Sequence, residues 1–360
     1  MARAERLVSS QERIYLVTRE HGVVLLRPFL RSALAVVLFG GAAFELAGAP
    51  VPSVVRWAGA LVAAAVVSIS MLGLMRRVGR WNARKLVVTD RRVLLTSGTL
   101  SRRVAAIPLD DLGVPPVLTS LAMEPRGLVL VTGPTGSGKT TTLAGMIDHI
   151  NNNREVHVVT IEDPIEVLHF DKLSMINQRE VRVDTSDFST ALRAAMRQDP
   201  DVILVGEMRD TETVKAALAA AETGHFVMST LHTTDAAETI NRVIDFFPPH
   251  EQKQVRLSLA GALRGIICQR LVQRADGLGR CVAMEIAINT GRVADAITDP
   301  DKTSTIGQLI GEGAYYGMQT FDAHLVALIR DGIISLEAAM SASTSPHDLT
   351  VELRRLGLVA

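Results

Sequence analysis

Two long apolar runs interrupt an otherwise mixed pattern in the first eighty-five residues. Residues 33–49 read ALAVVLFGGAAFELAGA and residues 57–75 read WAGALVAAAVVSISMLGLM. The second has 19 residues and no charge; at a helical rise it extends about 28 Å, close to the roughly 30 Å hydrocarbon core of a bilayer. The first is shorter and carries Glu45 near its end, where an acid costs less than at the centre. Between them, Pro50 to Arg56 is a short linker. Arg27 and Arg31 precede the pair; Arg76, Arg77, Arg80, Arg84 and Lys85 follow it. That asymmetry predicts a two-helix membrane hairpin within residues 1–85, both ends on the cytoplasmic face of the inner (plasma) membrane. The alternative is a pair of buried core helices. In 86–109 apolar positions alternate and break at Asp90-Arg91-Arg92 and Ser97-Gly98, which predicts short hairpin strands.

The pattern then changes. Short buried-strand runs at 127–132, 156–161, 201–205 and 226–230 are separated by helical stretches, which predicts an α/β fold with a parallel sheet and helices on both faces. Residues 250–341 read as mainly helical, with a hairpin around Gly277-Leu278-Gly279. Phe321, Leu325, Leu328 and Ile329 mark one helix face, and 346–360 form a short helical tail.

Composition adds three constraints. The chain has 360 residues, enough for two domains, and is 48% hydrophobic and 21% charged, which excludes disorder as its main state. Its 38 basic residues balance its 38 acidic ones, so no nucleic-acid partner is indicated. The balance conceals two halves: 16 basic against 7 acidic residues in 1–112, and 22 against 31 in 113–360. Two cysteines, Cys268 and Cys281, allow neither a disulfide framework nor a tetracysteine zinc site.

Candidate chemistry begins directly after the strand 127–132. Gly133-Pro134-Thr135-Gly136-Ser137-Gly138-Lys139-Thr140 fits G-x-x-x-x-G-K-[ST] at every position, and a helical segment from Thr141 follows. Glycines let backbone N–H groups approach phosphates, and a helix N-terminus favours an anion. Lys139 is expected to reach the β- and γ-phosphates of a nucleotide, and the Thr140 hydroxyl to bind Mg²⁺. The strand 156–161 ends in Glu162-Asp163-Pro164-Ile165-Glu166, where carboxylates can meet Mg²⁺ or water. The strand 201–205 ends in Gly206-Glu207, which places Glu207 in the Walker B position. His225 and His232 bracket the strand 226–230, which makes both candidates for phosphate contact.

Two resemblances follow from these residues. Thr89, Arg91, Arg92, Gly98 and Ile107-Pro108-Leu109 resemble the start of bacterial PH-like membrane domains. VLVTGPTGSGKTTTLAGMID (129–148), TIEDPIE (160–166), NQREV (177–181), LRAAMRQDPDVILVGEMRD (192–210) and AAETGHFVMSTLHT (220–233) resemble the ATPases of type II secretion and type IV pilus systems, a RecA-like P-loop family. FFPPHEQKQVR (246–256) and GMQTFD (317–322) extend the match over about 113–345. The resemblance implies that Glu166 polarises the attacking water, that Glu207 supports Mg²⁺ and water, and that His225 and His232 lie near the nucleotide. It implies a homo-hexamer acting on an inner-membrane pilus or secretion platform protein. Arginines between Arg193 and Arg209 become candidates for phosphate or intersubunit contacts.

The short VQRADGLGRCV (272–282) is similar to the retraction branch, whose extension relatives carry a tetracysteine loop there. The retraction pattern A-I-R-N-L-I-R-E, however, has Ala294 and Thr298 in place of its arginines. Residues 86–112 read as a PH-like β fragment, 113–345 as the motor and 346–360 as a tail. The family's usual N-terminal domain has no counterpart before Gly113, so the junction admits a natural tethered motor, a truncated motor, or two joined genes. The expected function is an ATP-hydrolysing motor of pilus retraction or secretion, held to membrane lipid by the hairpin. The rival is a membrane-anchored scaffold that binds ATP and hydrolyses it weakly.

Overall fold

The computed structural model describes residues 14–18, 29–30, 32–33, 36–39, 41–42, 48, 52–83, 85–89, 93–96, 104–105, 108–277 and 279–359. It divides into two units, 1–105 and 106–360.

In the first unit β1 (Ile14–Thr18), β2 (Lys85–Thr89) and β3 (Val93–Thr96) form an antiparallel sheet in that order, followed by β4 (Val104–Ala105). β2 and β3 fall where alternation predicted strands. β1 was not expected, because IYLVT is a lone apolar run among charged residues. The helix Ser53–Ala83 has 31 residues, and its stretch Ser53–Met75 is long and apolar enough to cross a bilayer. Trp57, Leu61 and Ile69 on it are each at least 70% exposed. Among the described residues this is one candidate span, not two. The first run, 33–49, lies largely outside the described residues; those described in it are helical. Just before that run, the Ser32 hydroxyl donates to the Ser70 carbonyl at 3.3 Å. Arg91, Arg92, Gly98 and Ile107 of the PH-like pattern lie outside the described residues.

The second unit is built on a seven-stranded sheet. Its strands are β5 (Gly127–Thr132), β6 (His157–Glu162), β8 (Met175–Glu180), β9 (Val202–Val205), β10 (Phe226–Leu231), β11 (Leu263–Gln273) and β12 (Arg280–Ile288). A two-residue strand, β7 (Val167–Leu168), stands outside this sheet. The order is β12-β11-β5-β10-β9-β6-β8, parallel throughout except for the β11–β12 hairpin at one edge. Helices cover both faces and enclose two apolar cores. One gathers Ile203, Leu192 and Leu218; the other gathers Val129, Met146 and Met228. Central strands read as continuous apolar runs because both faces are buried.

Two departures from the sequence reading have local causes, and one expectation between them holds. The 250–341 segment is helical over Pro249–Ala262 but then turns directly into the 11-residue β11 at Leu263; Gly261 and Gly265 flank the change, but each lies inside an element and no loop separates the two. The Gly277–Gly279 turn does join two strands, longer than the pattern suggested. β8, MINQRE, was not expected as a strand, because an edge strand carrying polar side chains lacks the apolar run of its neighbours.

Ile203 is fully buried at the centre of β9. Ile203→Ala should cost about 2–5 kcal/mol, seen as a lower urea midpoint by circular dichroism; an unchanged midpoint would contradict the described core.

Candidate nucleotide-binding site

In the second unit, four of the sheet's parallel strands lead into helices: β5, β8, β9 and β10. Three of the helices begin the ordinary way. Asp187, Asp210 and Asp235 are their N-caps, each carboxylate accepting from a backbone N–H at 2.8 Å: Thr190, Thr213 and Glu238 respectively. The helix after β5, Lys139–Asn153, has Gly138 in that place and no side-chain cap. Its first N–H groups and its positive dipole end are left for another anion.

Glycine is required here by space and by dihedral angle. A Cβ at Gly133 would lie 2.3 Å from the Gln269 carbonyl, and φ at Gly133, Gly136 and Gly138 is 141°, 78° and 92°. Lys139 is buried, and its Nζ donates to the carbonyls of Gly133 at 2.7 Å and Pro134 at 3.1 Å. The ammonium thus stands in the mouth of the loop. The Ser137 hydroxyl is buried beside it with no hydrogen-bond partner.

Acidic side chains face this loop from neighbouring strands. Glu162 ends β6 and is buried; its Oε1 accepts from the Thr160 hydroxyl at 2.6 Å and from the Gln178 amide at 3.1 Å. Glu207 follows β9, in a turn tied to β10: the Thr230 hydroxyl donates to the Gly206 carbonyl at 2.7 Å, and the Met208 N–H to the Thr230 carbonyl at 3.2 Å. One Glu207 oxygen is ion-paired with Arg209, and the other is 3.6 Å from Nε2 of His232. A cavity of about 670 Å³ joins these walls. It is lined by Thr135, Gly136, Gly138, Lys139, Thr140 and Thr141 on one side. Glu162, Glu166, Glu207 and His232 line the other. Pro134 and Ser137 face a second cavity on the far side of the loop.

The comparisons with known proteins agree with this geometry. The family described as Type II/IV secretion system protein matches residues 95–309. The chain belongs to the type II/IV secretion ATPase family. A type IV pilus retraction ATPase, PilT of Pseudomonas aeruginosa, is 50% identical over 242 residues, covering 67% of this chain and 70% of PilT. A twitching motility protein of Neisseria gonorrhoeae is 50% identical over 244 residues, covering 68% and 65%. The crystal structure of the pilus retraction motor PilT with bound ADP superposes with a TM-score of 0.64 at 44% identity, covering 74% of each chain. As a member of this family the protein is an ATP-hydrolysing enzyme. A second family, described as Bacterial PH domain, matches residues 34–146. That match runs past the P-loop, where residues 127–146 form β5, the loop and the following helix; the ATPase fold accounts for the overlap.

One sequence expectation fails in this ATPase. His225 precedes β10 whereas His232 follows it, so a six-residue strand places them at opposite ends of the sheet. His225 does not line the cavity; its Nδ1 lies 3.0 Å from the Ala220 carbonyl. Of the candidate arginines, Arg193 pairs with Glu212 at 2.8 Å, and Arg209 is the one that lines the cavity. The sequence reading singled out neither His169 nor Arg280, which line the cavity too. Neither lies in a phosphate motif, so only the folded chain reveals them.

Burial sets the charges of this ATPase's site. It lowers the Lys139 ammonium from its ordinary value, partly opposed by Glu207. It raises Glu162, against the hydrogen bonds from Thr160 and Gln178, and holds the His169 imidazole neutral with a pKa of about 4. The neighbouring Glu207 raises Arg209.

Because Glu162 is raised in the fold, it favours the fold while protonated, and that contribution is lost as pH rises through its raised pKa. Glu162→Gln should therefore gain thermal stability over wild type at about pH 8, with the gain shrinking toward about pH 4. An equal difference at both pH values would contradict burial as the cause.

Proposed function

We propose that this protein uses ATP hydrolysis to drive a membrane-bound pilus or secretion machine, and that its first unit tethers it to the bilayer. The observation that carries the ATP-binding half is the uncapped glycine-flanked helix facing three glutamates across one cavity. The positive-φ glycines Gly133, Gly136 and Gly138 shape a backbone loop whose Gly136 and Gly138 line that cavity, which fits a bound triphosphate.

Each residue then has a task. N–H groups of 136–141 receive the phosphates, and Lys139 exchanges its loop carbonyls for phosphate oxygens. Thr140 and Glu207 would hold Mg²⁺, which supplies charge neutralisation on the phosphates when bound. Among the described residues no group of three or more His, Cys, Asp or Glu could hold a metal alone, as suits an ion carried largely by the nucleotide's own oxygens. Glu166, exposed at the cavity, takes the proton of the attacking water. His232 and Arg209 share the charge of Glu207. Glu162, buried behind them, acts as a fixed acceptor.

The tether reading rests on connectivity. β1 and β2 pair on either side of the apolar segment, so the chain leaves and returns on one side. The helix Ser53–Ala83 is about 46 Å long. Ser32 lies against Ser70 of that helix. We assign this the two-span hairpin with cytoplasmic ends, the domain limits given above, and action as a homo-hexamer on an inner-membrane platform protein. The curated relatives support the pilus or secretion role by similarity over about two thirds of their length.

Glu166→Gln should lower the rate of Mg-ATP turnover by about 10²-fold or more with ATP affinity retained, whereas Lys139→Ala should lose affinity. Wild-type turnover in Glu166→Gln would overturn this assignment. A wild-type chain that binds ATP as a monomer without turnover would favour the scaffold reading instead.

A further inference from the structure

The loop 163–169 carries Glu166, yet β7 is its one regular piece. Side chains of β8 hold it in place. β8 lies beside β6 in register, Gln178 opposite Thr160 and Glu180 opposite Glu162. From there Glu180 reaches over the loop, and its Oε2 accepts from the Ile165 N–H at 3.2 Å. Gln178 does more. Its Nε2 donates to the Val167 carbonyl at 2.9 Å and to Glu162 Oε1 at 3.1 Å, and its Oε1 accepts from the His169 N–H at 2.9 Å.

Backbone groups at 165, 167 and 169 are therefore fastened to one strand, every second residue. Glu166 sits between two fastened residues, and it lines the nucleotide cavity together with Val167 and His169, while Gln178 does not. The arrangement substitutes side-chain amide and carboxylate groups for a strand ladder. Both ends of the Gln178 amide are used, so no residue lacking a donor and an acceptor together can replace it.

We infer that Gln178 is a positioning residue for ATP hydrolysis: its amide fixes the loop on the C-terminal side of Glu166 and so sets where that carboxylate meets the attacking water. The inference rests on the reading of Glu166 as the water-activating group. Gln178 touches no substrate; it acts by fixing the Glu166 backbone and, through Glu162, the floor of the cavity. A carboxylate displaced by about 1 Å can lose about 10²-fold in rate, while phosphate binding depends on the P-loop and stays intact.

The test uses the full chain in detergent. Gln178→Met keeps the length and removes every hydrogen bond. Steady-state Mg-ATP turnover is measured for Gln178→Met, Glu166→Gln and the double variant, with a fluorescent ATP analogue reporting affinity. The expected result is a kcat lowered about tenfold to a hundredfold in Gln178→Met, with KM for ATP changed less than about threefold. The double variant should fall no further than Glu166→Gln alone, because both changes disable one unit. Unchanged kcat, a rise in KM alone, or an equal fold-loss from Gln178→Met in both backgrounds would overturn the inference. If Glu166→Gln alone keeps wild-type turnover, the reading of Glu166 fails first, and this inference fails with it. Should Gln178→Met lose nucleotide binding, Gln178→Glu serves instead. It keeps the acceptor for the His169 N–H and loses both donations; a wild-type kcat there would overturn the inference.

Discussion

Everything at the site depends on a helix that starts without a cap. Four parallel strands of the sheet lead into helices, and at three of them an aspartate satisfies the first N–H groups. An aspartate at the fourth would place its charge where a phosphate must sit. Glycine at 138 leaves those groups unpaired, at a cost in helix stability that a bound anion offsets. Gln269 braces the loop: its Nε2 donates to the Ser137 carbonyl at 2.7 Å, from the neighbouring strand β11.

The opposite wall follows from sheet order. β10, β9 and β6 continue the parallel run from β5, so their carboxyl ends lie at the same edge as the P-loop. A residue that ends any of them faces the phosphates, and one that begins them cannot. This rule separates His232 from His225 and gathers Glu162 and Glu207 from segments 45 positions apart in sequence. The charges are then balanced in place: Lys139 against loop carbonyls, Glu207 against Arg209 and His232, Glu162 against neutral donors.

Legibility in the sequence tracks how local each determinant is. The P-loop was readable because its chemistry is contiguous, Gly133 to Thr140, and its strand and helix flank it directly. The apolar central strands β5, β9 and β10 were readable because burial on both faces leaves no polar positions. β8 was not, since MINQRE is an edge strand whose polar side chains serve the loop beside it. β11 was not, because the helix before it passes into extended backbone at Leu263 with no loop between them, and Gly261 and Gly265 fall inside the two elements. β1 was invisible for another reason: five residues acquire meaning only when Lys85–Thr89 pairs with them. His169, Arg280 and Gln178 belong to the site by contact across the fold, which spacing along the chain does not encode.

The central claim is that this single cavity both binds ATP and carries the groups that hydrolyse it. Single-turnover hydrolysis of γ-labelled ATP by the purified full chain, in excess over nucleotide and with Mg²⁺ present, tests it most directly, because it separates chemistry from product release. Release of labelled phosphate by wild type, absent when Mg²⁺ is chelated, is the predicted result. Full occupancy by ATP with no labelled phosphate formed would contradict the account, leaving a nucleotide-binding fold without the reaction.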